Sequence, residues 1–164
     1  REIANKADTS NPLGLQKILQ ETTLSLLRKP ELWVYANVET GTIPFNSAES
    51  TFNRLSMNER SKLTAEITTN VFGENNSLGS DDLKPGEADD SSEYIAITLL
   101  IAAKTKINLE ESLTSEQLKE SLRTLGAIPS SELMALEVIW QPEGEGETLS
   151  AEELVTSYPN LKHL

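Results

Sequence analysis

The longest apolar run of the chain, YIAITLLIAA, covers residues 94–103 and is interrupted only by Thr98. A helix that spans a bilayer needs about 20 such residues, so this run is too short to cross a membrane. Its apolar side chains fall on both alternating faces of an extended chain, which is typical of a strand covered on both sides. The run therefore predicts a central, buried strand in a sheet that helices cover.

Two more strands are predicted, LWVYANV at 32–38 and LMALEVIW at 133–140. Helical spacing and start signals predict about five helices. They begin at Asn11-Pro12, near Ala48, at a Ser56/Glu59 capping box, at Thr114/Gln117 and at Ser150/Glu153, and Gly126 is expected to cap the fourth. We predict a single α+β domain over residues 1–164, with a small three-stranded mixed sheet. Its second and third strands would be parallel neighbours joined by a right-handed crossover.

The chain carries a net charge of −12, from 26 acidic and 14 basic residues. Nucleic acids and anionic lipid surfaces would be repelled, so we predict no nucleic-acid partner and no direct lipid contact. Residues 74–93 hold seven acids and one base, a net charge of −6. Low hydrophobicity combined with high charge predicts a flexible acidic loop there.

Nucleophilic catalysis finds little support in the residues present. The sequence has no cysteine, and its one histidine, His163, is the residue before the last. A Ser-His-Asp relay needs an imidazole held by packing, whereas residues near a chain end are usually solvated. The G-x-S-x-G, P-loop and G-x-G-x-x-G motifs are absent. We predict no catalytic residue, no cofactor and no enzyme activity.

Glu137 leaves acid–base catalysis open as an alternative. Glu137 lies inside the third predicted strand, on the same face as Ile139. A buried carboxyl group there would have a raised pKa and could serve acid–base chemistry. A strand face partly open to solvent, or an ion pair with a helix, is the competing interpretation.

The acidic connector PEGEGE after the third strand brings Glu143, Glu145 and Glu147 close together. A calcium loop of the EF-hand type needs oxygen ligands at alternating positions and a closing Glu at position twelve, and this spacing does not provide them. We predict no dedicated metal site, and a surface for partner contact instead. A sensor of divalent cations or pH, acting through the acidic segments, is the alternative function.

Four stretches resemble a domain of unknown function found in cyanobacteria and plant chloroplasts, the family that includes the plant fluctuating-light acclimation protein. They are ADTSNPLGLQKILQETTLSLLRKPELWVYA (7–36), FNRLSMNERSKL (52–63), EYIAITLLIAA (93–103) and LRTLGAIPSSELMALEVIWQPEGEGETLSAEELVTSYPNL (122–161). The resemblance omits little besides residues 74–92. Arg54 and Arg60 match its pattern and are rare positive charges on an acidic chain. They are expected to form salt bridges or to contact a partner.

The missing catalytic and cofactor motifs, together with the resemblance, predict a non-enzymatic regulatory or scaffolding domain that acts through protein–protein contacts. The resemblance implies a role in acclimating photosynthesis to changing light. It implies a protein partner at a photosynthetic or chloroplast-envelope membrane, on the cyanobacterial cytoplasmic or thylakoid side or the stromal side. Membrane association would come from a glycine-rich segment upstream rather than from this domain. The first residues, REIANKADTS, lack Met and read like the end of a helix, which fits a C-terminal part of a longer protein.

Overall fold

A computed structural model describes residues 11–72, 93–111 and 114–164, and the side chains of these ranges except for 64–72. It contains helices α1 (Pro12–Leu27), α2 (Ala48–Phe72), α3 (Ser115–Gly126) and α4 (Ala151–Ser157), and strands β1 (Tyr35–Ala36), β2 (Ala96–Ala103), β3 (Leu133–Gln141) and β4 (Lys162–His163). Single 3₁₀ turns cover Pro30–Leu32 and Phe45–Ser47. The α+β class is therefore confirmed.

The predicted starts of three helices are confirmed. The Asn11 side chain accepts a hydrogen bond from the Gly14 amide at 2.8 Å. Thr114 and Gln117 form a reciprocal capping box at α3, and Ser150 and Glu153 form another at α4. In each case the cap side chain accepts a hydrogen bond from the backbone amide three residues later. The bond satisfies one of the amide groups that the first helical turn leaves without partners.

The prediction of about five helices is wrong, because α2 continues through the position where a second helix was expected to start. Ser56 lies inside α2, and Glu59 pairs with the Lys62 ammonium at 2.8 Å instead of capping Ser56. No Gly or Pro interrupts residues 48–72. A capping-box sequence without such a break can continue an existing helix.

The three-stranded mixed sheet is also wrong, since the described strands pair in twos and antiparallel. Tyr35 pairs with His163 and Ala36 with Lys162, in a sheet separate from the β2–β3 pair. Pro30 starts a 3₁₀ turn that takes Leu32 out of the predicted first strand, and the strand observed covers only Tyr35 and Ala36. A connection that holds one helix can return to either end of a strand, so it did not require a parallel crossover.

Two further expectations concern burial and the acidic loop. Every residue of β2 is partly buried and none is fully buried, so the expected complete burial of this strand is wrong. The acidic loop at 74–93 lies outside the described residues except for Glu93, which is exposed. Over the part of the chain described, no helix is both long enough and apolar enough to cross a membrane.

The chain divides into two compact units. Unit 1 contains the described residues up to Glu49 and of Leu100–Glu137, together with Asn160–Leu164. Its core is formed by Leu19, Ile128 and Leu133. Compact units of one chain can belong to one domain, so the single-domain organisation stays a prediction.

Within unit 1, α1 packs against α3 where Gly126 meets Thr23. A Cβ atom on Gly126 would lie 2.6 Å from Thr23 Oγ1, so only glycine allows this approach. Gly126 is the last residue of α3 and has no positive φ, and Ala127 takes the C-cap position. The predicted capping role of Gly126 is therefore wrong. The close packing of α1 against α3 is the physical reason for a glycine at this position.

Unit 2 contains the described residues of Ser50–Leu99 together with Val138–Pro159. Its buried apolar side chains include Ile139, Leu149 and Leu154. Tyr94 and Leu149 form an antiparallel bridge with backbone hydrogen bonds of 2.8 and 2.7 Å. Unit 2 contains all five residues that the sequence proposed for partner contact.

Candidate partner-contact site

Three exposed side chains form a row along the surface of α2, within unit 2. Arg54, Met57 and Arg60 are spaced by three residues, which places them side by side along the helix surface. Met57 is 70% exposed, and the Arg60 side chain is 48% exposed. We call these three residues the ridge. Its two guanidinium groups flank an apolar side chain that the chain itself leaves largely uncovered.

The backbone beneath the ridge is held by a buried amide. Gln141, at the end of β3, is only 4% exposed. Its Nε2 donates a hydrogen bond to the Arg60 carbonyl oxygen at 3.3 Å. Its Oε1 accepts a hydrogen bond from the Tyr158 hydroxyl. Both ends of the amide are therefore used, and one turn of α2 is fixed to β3.

Tyr158 extends this network towards charged groups of α2. The Lys62 ammonium lies 4.9 Å from the centroid of the Tyr158 ring, a cation–π contact. The same ammonium pairs with Glu59, whose other oxygen lies 3.5 Å from Thr98 Oγ1. Burial, and secondarily the Glu59 carboxylate, raise the pKa of Tyr158 to about 12. Tyr158 consequently remains a protonated donor at neutral pH and does not serve as a base there.

The acidic connector forms a tight turn beside the ridge. The Glu147 amide donates to the Gly144 carbonyl at 3.1 Å, and Gly146 has a φ of +78°. This φ is the one expected at the third position of a type II turn, where glycine is favoured. Glu143, before the turn, lies 4.0 Å from the Arg60 guanidinium. Glu145 and Glu147 are exposed on the turn itself.

The structure thus joins two of the five predicted contact residues, Arg60 and Glu143. Arg54 lies six residues before Arg60 on the same helix, about 9 Å along its axis. The sequence analysis missed Met57, Gln141 and Tyr158. No sequence pattern indicates that Met57 is exposed. Tyr158 occurred only within the quoted stretch that ends in YPNL. A link between Gln141 and Arg60 spans 81 residues of sequence and has no local pattern.

The other candidate residues do not gather into a site. Glu137 is partly buried in β3 and belongs to unit 1. His163 is exposed in β4. The centroid of its ring lies 5.2 Å from that of the Tyr35 ring, in an edge-on arrangement. No group of three or more His, Cys, Asp or Glu side chains that could hold a metal ion occurs among the residues described. The sensor alternative stays a prediction.

Unit 1 has a shallow pocket of about 240 Å³ between α3 and the segment before it. Its three glutamates all have partners. Glu110 accepts a hydrogen bond from Gln117 at 3.0 Å, Glu116 pairs with Lys119 at 3.2 Å, and Glu120 pairs with Arg123. Basic side chains therefore compensate two of these charges, whereas the partner of Glu110 is a neutral amide.

Comparison with known proteins gives a consistent result. A family profile described as protein of unknown function DUF1517 matches residues 1–164. The chain is 41% identical to Protein FLAP1 homolog A of Synechocystis sp. (strain ATCC 27184 / PCC 6803 / Kazusa), over 98% of this chain and 50% of the relative. It is 39% identical to the FLUCTUATING-LIGHT-ACCLIMATION protein 1, chloroplastic, of Arabidopsis thaliana, over 99% of this chain and 41% of the relative. No solved structure matches.

Proposed function

Because this chain belongs to the DUF1517 family, we propose that it is a regulatory or scaffolding domain that acts in light acclimation by binding other proteins. The name of the plant relative refers to acclimation to fluctuating light and to the chloroplast. The chain spans half or less of the two relatives reported, so the activity of a whole protein is also part of the proposal. The proposed location is a photosynthetic or envelope membrane, reached through a segment outside this chain.

The ridge is the observation that carries this proposal. Met and Arg are enriched at protein interfaces, whereas Lys and Glu are depleted there. Here an apolar side chain that is 70% exposed stands between two arginines on a chain of net charge −12. An exposed ion pair such as Arg60–Glu143 contributes only about 0–1 kcal/mol, so a partner's carboxylate can replace Glu143 at little cost.

The acidic turn supplies the second half of the proposed surface. Glu143 links it to Arg60, and Glu145 and Glu147 extend the negative charge beyond the ridge. A surface with neighbouring basic and acidic parts favours one orientation of a partner over others, since charge complementarity acts mainly on specificity and association rate. The expected partner carries carboxylates around an apolar recess and a basic group beside them.

The test is affinity purification of the full-length protein from illuminated cells, with quantitative mass spectrometry of what is bound. Two variants alter the ridge, Met57→Asp and the pair Arg54→Glu with Arg60→Glu. Val155→Asp is the matched control, since Val155 is an apolar residue of α4, 53% exposed, in the same unit. Circular dichroism confirms that each variant is folded.

We expect the ridge variants to lose proteins that the wild-type protein and Val155→Asp both retain. Truncating a hot-spot residue at the centre of an interface costs about 2 kcal/mol or more, so charge reversal on the ridge should reduce capture by roughly tenfold or more. Equal capture by all four proteins would contradict a role of the ridge in binding. Loss of capture by Val155→Asp alone would place the contact elsewhere in unit 2.

A further inference from the structure

We propose that Met57 is an oxidation site through which hydroperoxides weaken partner binding at the ridge. This inference rests on the proposed function, because it concerns the regulation of the same surface. The sequence contains no cysteine and two methionines, so the thioethers of Met57 and Met134 are its only sulfur groups. Met57 is 70% exposed, whereas Met134 is partly buried within β3. Oxidants in solution therefore reach the sulfur of Met57 first.

The reaction balances with a hydroperoxide as the oxidant. A sulfur lone pair of the thioether attacks one peroxide oxygen, the sulfur–oxygen bond forms, and the oxygen–oxygen bond breaks. The sulfur loses two electrons, and the leaving oxygen takes up the proton as water or as an alcohol. The product is methionine sulfoxide, which methionine sulfoxide reductases convert back to the thioether.

Oxidation changes the ridge in two ways. First, it turns the apolar centre of the ridge into a polar group that would have to be desolvated on binding. Second, the sulfoxide oxygen is a strong acceptor placed between guanidinium groups three residues away on either side. Arginine carries five N–H donors and no acceptor, so Arg54 or Arg60 can donate to the new oxygen. A donor engaged in this way is withdrawn from the partner's carboxylate.

The fold itself should tolerate this change. Met57 points its side chain mostly into solvent, so the added oxygen displaces no core atom. The oxidised protein should therefore keep its helical content, which separates loss of binding from unfolding. A bound partner should also slow the reaction, because it covers the sulfur atom.

The first experiment measures the chemistry without any partner. The purified full-length protein is treated with hydrogen peroxide, and peptide mass spectrometry follows the sulfoxide at Met57 and Met134 over time. We expect Met57 to be oxidised well before Met134, with an unchanged circular dichroism spectrum. Equal rates at the two methionines, or faster oxidation of Met134, would overturn the inference and leave the proposed function standing.

The second experiment measures partner capture by each protein before and after peroxide treatment, so every variant serves as its own reference. Wild-type protein and Met134→Leu should lose capture by roughly tenfold, because a polar group replaces the apolar centre of the interface and withdraws a donor from the partner's carboxylate. Met57→Leu should show the same capture before and after treatment, whatever its starting level. Met57→Gln should resemble the oxidised wild-type protein.

Sulfoxide reductase treatment should restore capture by the oxidised wild-type protein. Peroxide sensitivity that persists in Met57→Leu would overturn the inference, as would wild-type capture that oxidation leaves unchanged. If untreated wild-type and Met57→Asp proteins capture the same partners, Met57 has no role in binding, and the inference fails with it.

Discussion

Gly126→Ala tests whether the α1–α3 contact is limited by the absence of a side chain. The new Cβ atom would lie 2.6 Å from Thr23 Oγ1 and 3.5 Å from Thr23 Cβ. Thr23 cannot move away cheaply, since it is 2% exposed and its hydroxyl donates to the Leu19 carbonyl at 2.9 Å. Forcing an extra methyl group into such a site typically costs about 1–3 kcal/mol.

An opposing effect must be subtracted from this cost. Alanine is favoured over glycine within helices by up to about 1 kcal/mol, and Gly126 is helical. The net expectation is a destabilisation of about 1 kcal/mol, equivalent to a decrease in Tm of about 2–4 °C for a chain of this size. Urea unfolding followed by circular dichroism measures the difference in free energy.

The same substitution at Gly41 is the control, because nothing lies within 4 Å of a Cβ atom there and its φ is not positive. Gly41→Ala should be neutral or should stabilise the protein by up to about 1 kcal/mol. Thr23→Ala removes the clashing oxygen and leaves a 3.5 Å contact, so it should rescue part of the loss in the double variant. If Gly126→Ala alone increased stability, helix propensity would dominate and the packing argument would be refuted.

Three further predictions concern single residues, each measured by urea unfolding. The folded-state pKa of Tyr158 is about 12, against 10.0 for the ordinary side chain, so the unfolded state loses this proton first as pH rises. Stability should therefore fall between pH 10 and 12, by up to about 1.4 kcal/mol per pH unit. Tyr158→Phe should remove this pH dependence of stability. It should also cost about 1–3 kcal/mol at neutral pH, because the buried Gln141 acceptor loses its donor. An unchanged pH dependence would contradict the assignment of the slope to Tyr158. Ser150→Ala should cost about 1 kcal/mol through loss of the N-cap, and exposed Ser131→Ala should change little. Gly146→Ala should cost about 1–2 kcal/mol, because its positive φ disfavours a side chain, and a neutral result would exclude that backbone conformation.

Local chemistry accounts for what the sequence predicted well. The caps at Asn11, Thr114 and Ser150 each depend on groups within three residues, so a short motif can indicate them. The same motif at Ser56 forms no cap because that residue lies inside α2. Strand pairing depends on which distant segments meet, and apolar patterning does not encode this. The sequence correctly indicated the strand at 94–103 and its pairing with the third predicted strand, but it suggested a parallel direction and too much burial.

The candidate site, too, was predictable only in its local features. Arg54 and Arg60 stood out as basic residues on an acidic chain, and Glu143 as part of an acidic connector. Their contact, and the amide of Gln141 that fixes the turn of helix at Arg60, join segments about 80 residues apart. Only the folded chain reveals that an apolar side chain, Met57, lies exposed between the two arginines.

The turn at Gly144–Glu147 gives this chain a convenient attachment point for a reporter. Glu145 is exposed between two glycines, and no native thiol competes for a maleimide dye. A Glu145→Cys variant would carry one fluorophore near Glu143, whose carboxylate lies 4.0 Å from Arg60. A ligand that occupies the ridge would change the surroundings of the dye, so binding could be titrated by fluorescence anisotropy with purified components.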